Sequence, residues 1–317
     1  MDLRSLLTRY SKGELSIDEL QKEISFQSIE QVANSVAQLD INREVRKEIP
    51  EVIFAKGKRY QDLLDIVTTA ARRNNKVVLS KIQPEQLVTL SRTLKRRGFN
   101  VEVGKNSSTI LVYGTKNSST SYDHHREIDS RYQNPSSWHE SEITEAKVGI
   151  LAAGTSDIGI AEEARLMAKA MNCTTLQSYD VGIAGIHRVF PALKEMISEN
   201  VGAIVVVAGM EGALPSVVTS MVNVPVIGVP TSVGYGFGSD GVAALASMLQ
   251  SCTLGLCVVN IDNGIGAGAF AALICKQLAR RSTRTHTRKV ATWTKKSNKN
   301  SKSNNNNKNK NKSNRSL

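Results

Sequence analysis

The apolar and polar positions of this chain fall into two regimes. From Val148 onward, almost unbroken apolar runs recur at the interval of one strand and one helix. VGILAAG (148–154), TTLQSYD (174–180), AIVVVAG (203–209), VPVIGVP (224–230) and GLCVVNI (255–261) read as buried strands. Helical spacing fills 159–171, 186–200, 212–222 and 240–251, and a last helix is expected over 265–281. Strands this apolar, separated by amphipathic helices, predict a parallel sheet covered on both faces. Five such units make an α/β, doubly wound, three-layer domain over 147–281.

The first part of the chain is smaller in scale. Residues 1–47 read as two or three short helices: Ser16 and Glu19 form a capping signature, and Leu15, Ile17, Leu20 and Ile24 form an apolar stripe. Pro50 closes this region. A small α/β unit is expected over 48–114, with strands at 51–54, 76–80, 99–103 and 109–113 and helices at 60–73 and 84–97. The second of these helices starts at Pro84, favoured in a first turn, and stops at Gly98. Residues 115–146 are polar and without periodicity, and read as a linker or surface insertion. Its His124, His125 and His139 fit polar loop residues better than a metal site.

Charge changes the picture less than its total suggests. The formal net charge is +12, but 14 of the 41 Lys and Arg residues lie after Ile274, where there is no Asp or Glu. That leaves 27 basic against 29 acidic side chains in the rest of the chain, so the body of the protein is close to neutral. Residues 282–317 read as a disordered basic Asn/Lys-rich tail. Specific nucleic-acid binding is therefore not expected, although a non-catalytic nucleotide-binding or RNA-associated role using the tail is an alternative. The N-terminus lacks a signal-type apolar core, and no apolar run approaches the ~18 residues of a membrane span. The four cysteines show no paired spacing. A cytoplasmic protein with reduced thiols and no membrane contact is the expectation.

Candidate chemistry lies where strands hand over to turns. After the first buried strand come Gly154, Thr155, Ser156 and Asp157, a small turn whose backbone amides suit phosphate oxygens, although Ser156 and Asp157 fit plain helix caps equally well. It is not the GxGxxG dinucleotide fingerprint. Asp180 ends the second strand, with His187 and Arg188 opening the next helix, a pair suited to phosphate or carboxylate or simply to a solvated helix start. Glu211, flanked by Gly209 and Gly212, follows a very apolar strand and must be solvated, paired or functional.

Cys252 closes the helix that begins near Asp240, an end that disfavours a thiolate. Cys257 and Cys275 read as small core hydrophobes and Cys173 as a loop residue, which leaves Cys252 as the candidate nucleophile. It precedes the fifth strand, whereas Ser156, Asp180 and Glu211 follow strand carboxyl ends. One site using all of them needs a second subunit, so a homo-oligomer with shared sites is expected, an octamer being one candidate size.

The motifs AGTSD, AGMEGALPSVVTSMVNVPVIGVP, LASMLQSC and GAGAFAALI resemble the PurE-type, flavodoxin-like fold of purine-pathway AIR carboxylases and mutases. DVGIAGIHR (180–188), GMEGALPS (209–216), PTSVGYG, SC and NIDNGIGAG are more similar to the LarB family, the pyridinium-3,5-biscarboxylic acid mononucleotide synthases of nickel-pincer cofactor synthesis. The resemblance covers residues 32–281. It implies conversion of nicotinic acid adenine dinucleotide, CO2 as co-substrate, and water to the biscarboxylated mononucleotide and AMP, with no tightly bound organic cofactor. It also implies Cys252 as nucleophile, Glu211 in proton handling or substrate placement, and Gly154, Thr155, Ser156, Asp157, Asp180, His187, Arg188, Gly209, Ser232 and Gly234 around the substrate. Magnesium is the expected ion for the phosphoanhydride step, with Asp262 as a ligand. The PurE-type carboxylase or mutase is the alternative activity, but that family carries a catalytic His before its Leu-Pro, where this chain has Ala213.

Overall fold

The computed structural model describes residues 3–25, 29–32, 37–40, 43–114 and 145–280. The histidines of the polar insertion and the basic tail lie outside them. Helices α1 (Leu3–Ser11), α2 (Ile17–Ser25) and α3 (Arg43–Lys47) form the N-terminal region, but between them runs an antiparallel hairpin, β1 (Ile29–Val32) and β2 (Ala37–Asp40). The sequence reading of 1–47 as helices alone missed it. Four-residue strands are too short for periodicity to separate from a helical turn. Val32 and Leu39 pack into the core of the next unit, so the hairpin belongs with that unit.

That unit contains β3 (Val52–Phe54), α4 (Tyr60–Asn74), β4 (Lys76–Ser80), α5 (Pro84–Arg96), β5 (Asn100–Val103) and β6 (Ile110–Tyr113). Its sheet has the order β3-β4-β6-β5, with β3 parallel to β4 and the other pairs antiparallel. Side chains alternate faces with period two. Val77, Leu79, Ile110 and Val112 pack with α4 and α5 in one cluster, while Val78 and Leu111 point the other way into the C-terminal core.

The C-terminal sheet comprises β7 (Lys147–Ala152), β8 (Thr174–Tyr179), β9 (Ala203–Ala208), β10 (Val226–Pro230) and β11 (Leu256–Val258). Its order is β11-β10-β9-β7-β8, parallel throughout. Helices α6 (Ile158–Ala170), α7 (Val189–Ser198), α8 (Leu214–Thr219) and α9 (Val242–Leu249) connect the strands, and α10 spans 264–280. This is the doubly wound parallel sheet the apolar runs predict.

Helix α6 joins the two parts. Its residues Ile158, Ala161, Glu162, Glu163, Ala164, Leu166, Met167, Ala168 and Ala170 are all buried, because one face lies on the C-terminal sheet and the other on the back of the N-terminal sheet. Two adjacent buried glutamates on such a helix need partners. Glu162 receives Arg165 (2.8 Å), the Tyr179 hydroxyl and the Lys105 amide (3.1 Å). Arg165 continues to Glu102 of β5 (2.8 Å). Glu163 meets Lys81, Ser80 and Thr109 at 3.2–3.3 Å. On its other flank α6 takes α10 at close range. A methyl at Gly264 would lie 2.3 Å from the Ile160 carbonyl, and one at Gly268 2.4 Å from that of Ala164.

Candidate active site

In the C-terminal sheet the chain passes from β7 to β8 on one side and then to β9 on the other. This reversal opens a crevice beyond the carboxyl ends of β7 and β9, where open α/β sheets bind ligands. The turns at this edge are held together by two aspartates.

Asp157 ends the short 3-10 turn Thr155–Asp157 ahead of α6 and is 4% exposed. Its Oδ2 accepts from the Gly154 amide of its own turn at 2.9 Å, and its Oδ1 from the Thr231 hydroxyl at 2.7 Å. The Gly209 amide donates to the same carboxylate. The turns after β7, β9 and β10 therefore meet on one buried side chain. Burial pushes the Asp157 carboxyl above the ordinary range; the Thr231 hydroxyl and the two amides pull the other way without offsetting it, and the Asp262 charge adds to the rise. Gly209 permits the convergence, since a methyl there would lie 2.2 Å from the Val233 carbonyl and 2.7 Å from Thr231 Oγ1.

Asp262 performs the equivalent task for the turn after β11. With φ of 57°, it accepts from the Ser232 amide at 2.9 Å and the Ser232 hydroxyl at 2.6 Å, while its own amide donates to the Pro230 carbonyl at 2.9 Å. Both carboxylate oxygens are thus committed to Ser232. Among the described residues no three His, Cys, Asp or Glu side chains converge as metal ligands.

Around these two anchors, Thr155, Ser156, Glu211, Ser232 and Gly234 are exposed at the crevice edge. The loop after β8 is drawn in as well, because a methyl on Gly182 would lie 2.8 Å from the Ala153 carbonyl. There Asp180 is paired with Arg188 at 2.6 Å, and His187 is exposed. The sequence did not single out Thr231, which is fully buried. Its position directly after the strand-ending Pro230 was the available signal.

Cys252 is elsewhere. Helix α9 ends at Leu249 with Gln250 as its cap, so the cysteine lies two residues past the cap instead of closing the helix. It sits in the segment leading into β11, at the amino end of the sheet, and is the one exposed cysteine of four. Cys173 lies in the loop between α6 and β8, as the sequence predicts, and is also buried in the core. Burial pushes Cys173 up to about 11 and Cys275 to about 12, and raises Cys257 as well. Ser251 Oγ receives the Ser216 hydroxyl (2.8 Å) and the Thr253 amide (3.3 Å) and shares a hydrogen bond with Thr253 Oγ1 (2.7 Å), fixing the chain on both sides of Cys252. Within one chain, then, Asp157, Gly209, Thr231, Ser232 and Asp262 come together and Cys252 does not join them.

Such an edge offers exposed hydroxyls, turn amides and a buried carboxyl able to hold a proton. These suit a hydroxyl- and phosphate-bearing ligand. No described helix is long and apolar enough to cross a membrane.

Two family models match the chain: a LarB/PurE-like N-terminal domain over residues 29–113 and an AIR carboxylase domain over 147–300. An uncharacterised protein of Methanocaldococcus jannaschii is 42% identical over 276 residues, 87% of this chain and 97% of the relative. A probable N5-carboxyaminoimidazole ribonucleotide mutase of Methanothermobacter thermautotrophicus is 32% identical over 132 residues, 40% of this chain and 37% of the relative. The corresponding mutase of Thermotoga maritima is 30% identical over 132 residues, 40% of this chain and 74% of the relative. The N-terminal match ends at β6 and the carboxylase match begins at β7, so the homology follows the two sheets. The chain belongs to the LarB family, with a LarB-type N-terminal domain followed by a PurE-superfamily carboxylase domain.

Proposed function

We propose that this enzyme carboxylates and cleaves nicotinic acid adenine dinucleotide, giving pyridinium-3,5-biscarboxylic acid mononucleotide and AMP. The observation that carries the reading is Cys252, a free and exposed thiol held by the Ser251 network. Ala213 supports it from the other side, since the PurE-type mutases have a catalytic His there.

A pyridinium ring is too electron-poor to attack CO2. Attack of the Cys252 thiolate on a ring carbon forms a C–S bond and leaves an enamine. The adjacent carbon then uses the enamine's electron pair to form a C–C bond to CO2, and a C–O π pair of CO2 moves onto oxygen as the new carboxylate. Loss of the ring proton to a base and breakage of the C–S bond restore the aromatic ring and release the thiolate. Water attack on phosphorus breaks the phosphoanhydride and frees AMP. The turns tied by Asp157 and Asp262 hold the ribose phosphate in this reading, with Glu211 at the mouth to place the ring or take the proton. Magnesium would neutralise charge on the dinucleotide's phosphates, with Asp262 the residue that would hold it.

A second copy brings its Cys252 to this crevice. The support for this is apolar surface beside the cysteine: Leu249 is 67% exposed and Leu254 95%.

Incubation of the pure protein with the dinucleotide, labelled bicarbonate and magnesium tests the reading by product mass. Labelled mononucleotide and AMP are expected, and Cys252→Ser should abolish both while keeping the wild-type circular dichroism. Full turnover by Cys252→Ser would remove the thiol step. Turnover of aminoimidazole ribonucleotide in place of the dinucleotide would replace the reading with the PurE-type one.

A further inference from the structure

Lys81 belongs to the N-terminal domain but ends at the catalytic one. It follows β4 directly, in the left-handed region with φ of 58°. Its side chain leaves the N-terminal sheet and places Nζ 3.2 Å from Glu163 Oε1 of α6 and 3.2 Å from the backbone carbonyl of Asp262. The glutamate has only 2% of its side chain exposed, and its Oε1 also takes the hydroxyls of Ser80 and Thr109. Every one of these partners comes from the N-terminal domain, on β4 or directly beside β4 and β6. An ammonium is the only group among them that can offset the buried charge.

The second bond made by Lys81 carries this anchor into the site. Asp262 holds Ser232 by two hydrogen bonds, Ser232 follows Thr231, and Thr231 holds Asp157. Gly264, two residues beyond Asp262, lies so close to α6 that a methyl there would sit 2.8 Å from Glu163 Cβ. The turn containing Asp262 is thus pressed against α6 on one side and pulled by the ammonium on the other. A residue in left-handed conformation whose side chain is aimed at a neighbouring turn needs such fixing, because the uncommon backbone conformation alone does not select it.

We propose that Lys81 is a positioning residue of the active site, through which the N-terminal domain sets the loop carrying Asp262 and, by way of it, Ser232 and Thr231. The proposal deepens the carboxylase reading above and rests on it only for the kinetic readout. The N-terminal domain then acts as a part of the catalytic centre that need not touch the reacting ring.

Lys81→Met in the full-length chain tests this by amide hydrogen exchange without substrate, followed by kinetics. Exchange of the 230–234 and 260–264 segments should quicken about tenfold while β9 stays protected, as for a local opening. With the dinucleotide, KM should rise about tenfold at nearly unchanged kcat, the pattern of lost binding alignment. Lys81→Arg, which keeps the charge and a donor, should restore most of both. If Lys81→Met fails to fold, Lys81→Gln carries the same expectations. Wild-type exchange in both segments would overturn the proposal, as would equal acceleration in β9, which marks a general loss of stability. The exchange result decides the matter whether or not the dinucleotide is turned over, so a failure of the substrate reading is seen separately.

Discussion

Thr231 Oγ1 donates a 2.7 Å hydrogen bond to Asp157 Oδ1, joining the turns after β10 and β7 across the strand that lies between them. Both residues are buried. The bond therefore serves the site and the fold together, and removing it exposes nothing to water that could replace it. Thr231→Val keeps the shape and leaves the carboxylate one donor short. A loss of about 1–3 kcal/mol in urea unfolding is expected for such an unmet buried acceptor, with Thr231→Ser close to wild type. A wild-type midpoint for the valine variant would refute the role.

The same carboxyl gives a pH dependence. Burial holds the folded value of Asp157 above its ordinary 3.8, so the folded state binds the proton more tightly than the unfolded chain. Its contribution to stability is full below that ordinary value and is lost as pH rises through the raised one. Asp157→Asn should flatten this fall in a series of unfolding midpoints from acid to neutral pH. An unchanged slope would mean that the group titrates alike in both states.

The clamp between the two sheets has the opposite sign. Burial pushes Glu162 up, but Arg165, Tyr179 and the Lys105 amide outweigh it and hold the carboxyl below its ordinary 4.5. Glu102 behaves likewise, its burial outweighed by Lys169 and Arg165. Stability from these groups is present above 4.5 and is lost as pH falls through the lowered values. Arg165→Met should cost about 3 kcal/mol at neutral pH, as when one partner of a buried pair is removed, and the cost should shrink in acid. A cost that stays constant down the acid limb would exclude the ion pairs as its source.

Close packing of α10 on α6 predicts a steric effect. Gly268→Ala puts a methyl 2.4 Å from the Ala164 carbonyl and 2.8 Å from its Cα. Backbone cannot yield as a side-chain tip can, so a loss of about 2 kcal/mol is expected from overpacking. Thermal unfolding measures it, and a midpoint equal to wild type would show that the helices separate freely.

Self-association makes the last prediction. Leu249→Glu and Leu254→Glu alter exposed side chains that support no described core, so each chain should fold normally. If a second copy covers this surface, sedimentation should show smaller particles and activity should fall with them. A variant of unchanged size would leave Cys252 without a partner crevice at this surface.

The sequence by itself determined the parallel sheet, because strands buried on both faces must be apolar throughout and VVVA or VIGV cannot be hidden in any other way. It also determined that Cys252 belongs to a different end of the sheet from Asp157. Tertiary structure alone decided how those turns meet. Thr231 and Asp157 are 74 positions apart, and no periodicity links a hydroxyl to a carboxylate across an intervening strand. The two glutamates of α6 were not singled out in the sequence; they are buried because a second sheet covers that face of the helix, with Lys81 reaching Glu163 and Arg165 bridging Glu162 to Glu102. Lys81 was legible only as the residue after a strand. Its reach to Asp262, 181 positions away, follows from the docking of one domain on the other, which is set by shape and burial and not by local pattern.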